Sequence, residues 1–361
     1  GADNQQIFIR GQATTGNSSP LIVVDGVIRN NINEVDPNNI ESVNILKDAA
    51  AVAPFGLGGA NGVILITTKR GTNSAPSISF SGYYGDQQPT YLPKMLSAQD
   101  YMRLRVESGA ANISQTYIDN YLDSNRLNPD KYPISNALND IVRKHSPMYQ
   151  ANAQVRGGNQ IVKYYAGISY FKQEGMFPTT NYQRYNYNLN LDINVTSTTT
   201  ATFSTNGAYQ TSSDIDGGTS QMFRSVYKFL PTAALRYSNG LPGESSGNTP
   251  LGVLASEGYN SRNTTNMLST IGLEQKIPFI KGLSLKGTVS YDPYNYVNKQ
   301  WHQPFVFYAR TATGDFTRGI SNQENSTQTY TWLQQNYWQQ NTLTLQGFVN
   351  YHNTFGKHDI T

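Results

Sequence analysis

The stretch Tyr185–Val195 constrains this chain more than any other. Tyr185, Tyr187, Leu189, Leu191, Ile193 and Val195 alternate there with Asn186, Asn188, Asn190, Asp192 and Asn194. Side chains two apart share a face only in a strand, so a helix cannot segregate these residues. The run also has the length of a tilted membrane-crossing strand, about 9–11 residues. Two folds accept such a pattern. A soluble sandwich turns the apolar face inward. A membrane barrel turns it outward and keeps the Asn face in a wet lumen.

Composition favours the second. Charged residues are 14% of the 361, well under the soluble average of roughly 25%. Aromatics reach 12%, with 25 Tyr, while the hydrophobic share is only 37%. Such a chain lacks the aliphatic content of a soluble α/β protein. It suits a barrel with small polar residues inside. No run of about 18 apolar residues offers a transmembrane helix. The net charge of +3 comes without a basic cluster, which argues against nucleic acid. The chain has no cysteine, which removes disulfides, thiol catalysis and Cys-ligated zinc. Residue 1 is Gly and no signal peptide is in view. The chain is therefore expected to start inside a longer precursor.

Other segments repeat the alternation. Val162–Tyr170, Phe203–Tyr209, Leu283–Tyr291 and Leu343–Tyr351 each repeat the alternation, with Thr205 on the apolar face and Phe348 on the polar face as exceptions. Several apolar faces end in Tyr, as an interfacial aromatic girdle requires. From Ser77 onward the rule predicts roughly nine or ten strands. Thr196–Thr200 and Phe355–His358 read as tight turns, whereas 86–148 and 212–265 are long connections. Short turns at one end and long loops at the other suit an outer-membrane barrel. The first long connection carries helix signals. Ser97 can cap a helix over Ala98–Ser108 and Ser114 another over Gln115–Ser124, with a third from Asn136 to His145.

The block Pro20–Gly71 is different in kind. Ile7–Arg10, Leu21–Val24, Ile40–Leu46 and Val63–Lys69 read as short strands bounded by Gly, Pro, Asn and Asp. Asp25-Gly26 and Asp36-Pro37-Asn38-Asn39 are turn signals. Lys47–Ala51 favours a helix that Pro54 stops. Gly56–Gly62 is a loop able to take positive φ. It is not a phosphate loop. Asn61 stands where a third Gly is needed, and the glycines lead from helix into strand, the reverse of the required order.

The runs Val23–Val27, Ile40–Val43, Leu46–Ala49, Gly59–Ile64 and Thr67–Gly71 occur in the order of a known signature. They resemble the plug domain of the SusC/RagA family, TonB-dependent outer-membrane transporters of Bacteroidetes, and Ile9-Arg10-Gly11 resembles the stretch before it. The chain departs from the family at Ala53–Gly58, where a Tyr-Gly-Ser-Arg-like run is usual. The resemblance implies a mainly β fold. This is a transmembrane antiparallel β-barrel of about 22 strands with an N-terminal α+β plug. Residues 1–75 would be the later part of that plug and 76–361 the first part of the barrel, with long helix-containing extracellular loops at about 86–148 and 212–265. The front of the plug and about half the barrel would lie outside this chain. Asp25, Gly26, Lys47, Asp48, Gly59, Asn61 and Gly62 would be the gating signature.

The implied function is TonB-dependent import of a nutrient oligomer, an oligosaccharide before an oligopeptide. The implied partners are a SusD-like surface lipoprotein, outer-membrane lipid and the TonB–ExbB–ExbD complex, which would act through a segment upstream of residue 1. A dimer of transporter–lipoprotein pairs is a further expectation. The same resemblance implies no enzyme activity and no cofactor. The alternative of another class is a β-rich surface carbohydrate-binding or adhesin protein, which accounts for the Tyr and Asn content but not for the opening block.

Candidate site residues are few. No catalytic constellation is apparent, and His145, His302, His352 and His358 lack ligand spacing. Asp214-Ile215-Asp216-Gly217-Gly218 has the start of a calcium loop without its later Glu, and reads as a turn. Trp301, Trp332 and Trp338 could stack on sugar rings or anchor the wall at the membrane interface. Asp214 and Asp216 could bind hydroxyls from the lumen or the outer surface.

Overall fold

The structure, a computed structural model, describes residues 7–9, 18–29, 32, 35–321, 329–355 and 358–360. Arg10 and Gly11 of the signature and the turn at Gly356-Lys357 lie outside the described residues.

Two sheets organise the chain. The first holds β1 (Leu21–Val24), β2 (Val27–Arg29), β3 (Ile40–Leu46) and β4 (Val63–Thr68) in the order β2-β1-β4-β3. β1 runs parallel to β4, and the other pairs are antiparallel. The crossover carries a short helix α1 (Ala49–Val52) and a 3-10 turn over Ala53–Gly59. Asp25 and Gly26 both take positive φ, 50° and 85°, which lets a two-residue loop join β1 to β2. Val23, Val24, Val27, Val63, Ile64 and Ile66 are buried; each contributes about 1.5–3 kcal/mol over exposure.

The second sheet is an antiparallel meander of eight strands. These are β5 (Ser77–Gln87), β6 (Ser146–Gly158), β7 (Val162–Glu174), β8 (Asn181–Asn194), β9 (Thr199–Ile215), β10 (Tyr259–Lys276), β11 (Leu283–His302) and, past a hairpin of β12 (Phe305–Arg310) and β13 (Phe316–Ser321), β14 (Trp332–Tyr351). A last small hairpin pairs β15 (Asn353–Phe355) with β16 (His358–Ile360). The main wall therefore has eight strands among the described residues, against the nine or ten expected, because two hairpins stand apart from it.

Burial in this wall is inverted relative to a soluble protein. Asn188 and Asn190 are 2% and 1% exposed, while Ile271, Leu345 and Val349 on the other face are 62%, 68% and 74% exposed. The Asn face is covered because the small sheet sits against it. A soluble sandwich would bury the other face, so this arrangement excludes that solution. Leu268 is an inward apolar residue that follows the same logic, since it packs into the small sheet's core beside Val24, Ile64 and Ile66. On the outer face Tyr149, Tyr170, Tyr185 and Tyr209 form a row across four strands, with ring centroids 5.9, 4.7 and 6.4 Å apart. Such a row marks the polar–apolar boundary of a membrane. Ile271→Arg is expected to cost about 2–4 kcal/mol of folding stability in lipid, whereas Ile271→Val should cost under about 1.5; equilibrium unfolding into vesicles measures both.

Several boundaries differ from the sequence reading. Residues 7–9 form no strand. Lys47 and Asp48 precede α1, which starts at Ala49. α2 (Ala98–Glu107) has its Ser97 cap, but the next segment is two helices, α3 (Gln115–Asp119) and α4 (Tyr121–Leu127), meeting at Asn120. α5 (Ala137–Ile141) stops before an extended Val142. The long connections are shorter than 86–148 and 212–265, because β5 runs to Gln87, β6 starts at Ser146, β9 runs to Ile215 and β10 starts at Tyr259. The strands climb past the membrane. β11 and β14 have 20 residues each, about twice what a bilayer needs. Above the lipid both faces meet water or loops, so the alternation fades while the hydrogen-bonded ladder continues.

Candidate functional site

Two regions gather polar side chains from distant parts of the chain: the junction of small sheet and wall, and the mouth where the long connections meet.

At the junction, the small sheet presents its turns to the inward row of Asn, Ser and Tyr. The Asp25 carboxylate accepts from Thr68 N (2.9 Å) and Thr68 Oγ1 (2.7 Å). Asn190 Nδ2, on the wall, donates to Thr68 Oγ1 (3.1 Å) and to the Lys69 carbonyl (2.6 Å). Asp25 is thus linked to the wall through Thr68. A second anchor is the turn over Pro37–Asn39. Asp36 Oδ1 accepts from Asn38 N and Nδ2, while Asp36 Oδ2 accepts from Ser169 Oγ and from Asn186 Nδ2 (2.8 Å). Tyr165, fully buried, donates its hydroxyl to Asn39 Oδ1 at 2.8 Å.

Charges complete the junction. Arg70 Nη1 meets Asp192 Oδ1 at 2.7 Å. Arg29 at the end of β2 pairs with Asp292 of β11, both side chains nearly buried, and Arg29 Nη2 donates to Thr270 Oγ1 at 3.2 Å. Gln346 Nε2 reaches the Gly26 carbonyl at 3.4 Å. Gly71 ends the signature where the chain crosses β7; a Cβ there would fall into the backbone of Lys163 and Tyr164.

This junction is held mainly by separate polar bonds. Each contributes about 0.5–1.5 kcal/mol net, more where a charge takes part. Together these bonds hold the small sheet against the wall.

The mouth is one packed cap. α5 joins α6 (Thr219–Lys228) and α7 (Pro250–Ala255) around Leu138, Ile141, Phe177, Met222, Val226 and Phe305. Ser135 Oγ donates to the Ala233 carbonyl (2.7 Å), and Asp130 accepts from Ser238 N (2.7 Å) and Oγ (2.6 Å). The connections after β5 and β9 therefore act as a unit.

The expected site residues fall in different places. Gly62 has φ 94° and its position lies against Ile9; Gly59 packs on Val52. Asn61 Nδ2 reaches the Ser19 carbonyl at 3.5 Å. Lys47 and Asp48 are exposed at the end of β3. Asp214 Oδ1 accepts from Ile215 N (2.8 Å) and Thr219 Oγ1 (2.6 Å), a local cap. Asp216 is buried with its Oδ2 2.7 Å from His302 Nδ1. Burial pushes its carboxyl above the usual carboxylate range, against the opposing pull of His302. Trp332 stacks on His302 with centroids 5.3 Å apart. Trp301 shares the outward parity of Val289, opposite Tyr259 and Leu333. Trp338 is inward and exposed, in edge-to-face contact with Tyr294 at 5.3 Å. No group of three or more His, Asp and Glu suited to a metal occurs among the described residues.

Sequence reasoning missed Arg29, Asp36, Tyr165, Asn186, Asn190 and Asp292 as a set. The inward Asn positions of the alternation were the available signal. It expected helices in the 212–265 connection but did not place α6 and α7, although Met222, Val226 and Phe229 have helical spacing and Pro250 follows a capping Thr249.

Comparison with known proteins agrees with this geometry. Residues 1–63 match the TonB-dependent Receptor Plug Domain family. TonB-dependent receptor P26 of Formosa agariphila is 36% identical over 48% of this chain and 18% of its own length. TonB-dependent receptor SusC of Bacteroides thetaiotaomicron is 29% identical over 50% of this chain and 18% of its own length. The RagAB peptide transporter structure superposes with a TM-score of 0.72 at 21% identity, over 94% of this chain and 40% of that one. The chain spans about a third of TonB-dependent receptor P3 of the same Formosa species, which it matches over 97% of its own length at 25% identity. The chain is SusC/RagA-like and mainly β, of outer-membrane β-barrel type, with a plug at its front.

Proposed function

We propose that residues 1–75 are plug and 76–361 the first part of the barrel wall of a TonB-dependent importer. The observation that carries this is the seating of a small α/β sheet on the polar inward face of a wall whose outward face is apolar. A plug so placed obstructs the lumen at rest, and its stepwise polar contacts permit release. Asp25, Gly26, Gly59, Asn61 and Gly62 shape the plug's turns. Lys47 and Asp48 remain exposed for contacts with other parts of the protein.

Energy for release would come from TonB–ExbB–ExbD pulling on a segment upstream of residue 1. The mouth cap would dock a SusD-like lipoprotein that captures cargo, and pairs of such complexes could dimerise. Cargo is an oligosaccharide in this reading, with oligopeptide as the alternative. Of the Trp and Asp candidates for cargo contact, Trp338 is the one that is both inward and exposed. Trp332, Asp214 and Asp216 support the mouth, and Trp301 faces outward.

The test is uptake by cells making the full-length protein. Accumulation of labelled oligosaccharide or oligopeptide should stop when TonB is deleted or the proton-motive force is collapsed. The protein should partition with outer membranes and co-purify with a lipoprotein. Uptake unchanged without TonB would overturn the reading.

A further inference from the structure

The outer face of the wall is not smooth. A groove of about 590 Å³ crosses it, from Phe80 on β5 to Pro293 on β11. Strand register explains its course, since it runs between two rows of outward residues. Tyr170, Tyr185 and Tyr209 form the upper row and stand directly opposite one another on β7, β8 and β9. Ile168, Tyr187 and Gly207 form the row below, and Met267 continues it on β10. Small residues keep the space between the rows open. Ala151 and Ala153 leave β6 low at one end. Gly207 lets the Tyr187 ring lean onto β9, because a Cβ there would come within 2.6 Å of that ring.

The place and chemistry of the groove select its occupant. It lies at the mouth end of the strands, since β8 starts at Asn181 and β9 ends at Ile215, close to Tyr185 and Tyr209. Long connections face the outside of the cell, so the groove lies at the depth of the outer leaflet. Carbon dominates its surface. Lipid tails are as apolar as the groove, so burial alone selects nothing. Packing does, because a chain held between two rows of rings gains dispersion contacts that a plain wall does not offer. Barrel strands tilt by about 35–45°, so a groove along the ladder rows slopes through the leaflet, as a splayed acyl chain can. Charge selects the headgroup. Lys172 opposite Tyr149 is the next outward residue above Tyr170 on β7. Its Nζ lies 3.4 Å from Glu174 Oε1, and Arg143 Nη1 lies 2.8 Å from Glu174 Oε2. Two cations on one carboxylate leave a net positive cluster above the tyrosines, where headgroups sit. Lipid A, a glycolipid with two phosphates and several acyl chains, matches both features. Phosphatidylethanolamine brings its own cation and matches only the groove.

We propose that this groove is a binding site for lipid A, with one acyl chain between the two rows and a phosphate beside Lys172 and Arg143. The inference rests on the outer-membrane placement of the wall and involves neither plug nor cargo. Arg143 follows α5, one of the helices of the mouth cap. An occupied site therefore ties the base of the cap to the outer leaflet. The lipid binds the folded wall alone, so it stabilises the fold by mass action.

The experiment uses the full-length protein, stripped of lipid by detergent exchange and titrated with lipid A, phosphatidylethanolamine or phosphatidylglycerol. Native mass spectrometry reads the lipid retained, and the melting temperature reads its effect on stability. A single lipid A should be retained in preference to both phospholipids and should raise the melting temperature. Ala151→Phe with Ala153→Phe fills the groove with bulk that lipid tolerates, and should cut lipid A retention about tenfold. Ala166→Phe, which faces outward below the groove, should leave retention unchanged. Lys172→Gln should lower lipid A retention several-fold and leave phosphatidylethanolamine where it was. Heat-modifiable migration checks folding; if the filled variant does not fold, Lys172→Gln and the phospholipid comparison decide. No lipid retained, equal retention of the phospholipids, or unchanged lipid A retention in the filled variant overturns the site. A second copy of the chain that the filled variant releases would also overturn it, by making the groove a contact between proteins. TonB-independent uptake by the unaltered protein would remove the importer reading and leave the lipid site standing.

Discussion

Arg29→Met, with Asp292 left in place, should loosen the plug hairpin by about 3–5 kcal/mol, the cost of leaving one member of a buried ion pair uncompensated. The side chains of Arg29 and Asp292 are 4% and 11% exposed, so water cannot take over the lost partner without opening the junction. The pair bridges sequence positions far apart, and near it Gln346 Nε2 also reaches the Gly26 carbonyl at 3.4 Å. Amide exchange across residues 21–29 should rise by about a factor of 100 or more, while exchange in β7 and β8 stays slow. Adding Asp292→Leu to Arg29→Met should recover most of the loss, because an apolar pair escapes the desolvation penalty. Equal exchange in the single and double variants would show that the charge pair holds nothing.

Gly71→Ala should be strongly damaging although it adds a single methyl. The position has no left-handed φ to explain its glycine. Its reason is proximity, since the added Cβ would occupy the backbone of Tyr164 and Lys163 rather than the tip of a mobile side chain. Backbone paired to a strand on either side does not yield readily, so the exit from plug to wall must shift. The expected cost is about 3 kcal/mol, read as a several-fold drop in folded, heat-modifiable protein in the outer membrane. Gly347→Ala, where nothing lies within 4 Å of the new Cβ, should change stability by under about 0.5 kcal/mol. Equal effects of the two would contradict the tight crossing.

The wall was legible in the sequence because lipid imposes a period of two on its outer face. Tyr185–Val195 announced β8 within a residue of its observed end. The same physics explains where legibility stopped. Above the tyrosine row no lipid touches Ser212, Ser213 or Asn298, so β9 and β11 continue through residues with no apolar alternation. The plug's sheet was visible through β-branched runs such as Val63–Thr68, and its identity through the order of short motifs. The junction was half visible. Inward Asn186 and Asn190 declared a wet or covered face, but their partners Asp36 and Thr68 lie more than a hundred positions away, and no local rule connects them. Asp216 shows the converse. A loop Asp with flanking glycines reads as exposed, yet its burial comes from His302 and the cap, which the loop's own sequence does not encode.

In the proposed importer the plug leaves its seat on the wall when cargo passes. In a full-length protein with no other cysteine, Arg29→Cys and Asp292→Cys can be joined across the junction by a short bis-methanethiosulfonate, which spans a gap too long for a direct disulfide. Before cross-linking, this variant should import cargo in a TonB-dependent manner. Cross-linked to completion, it should import none, and reductant, which cleaves the linker, should restore uptake. Undiminished uptake through a fully cross-linked plug would contradict the account.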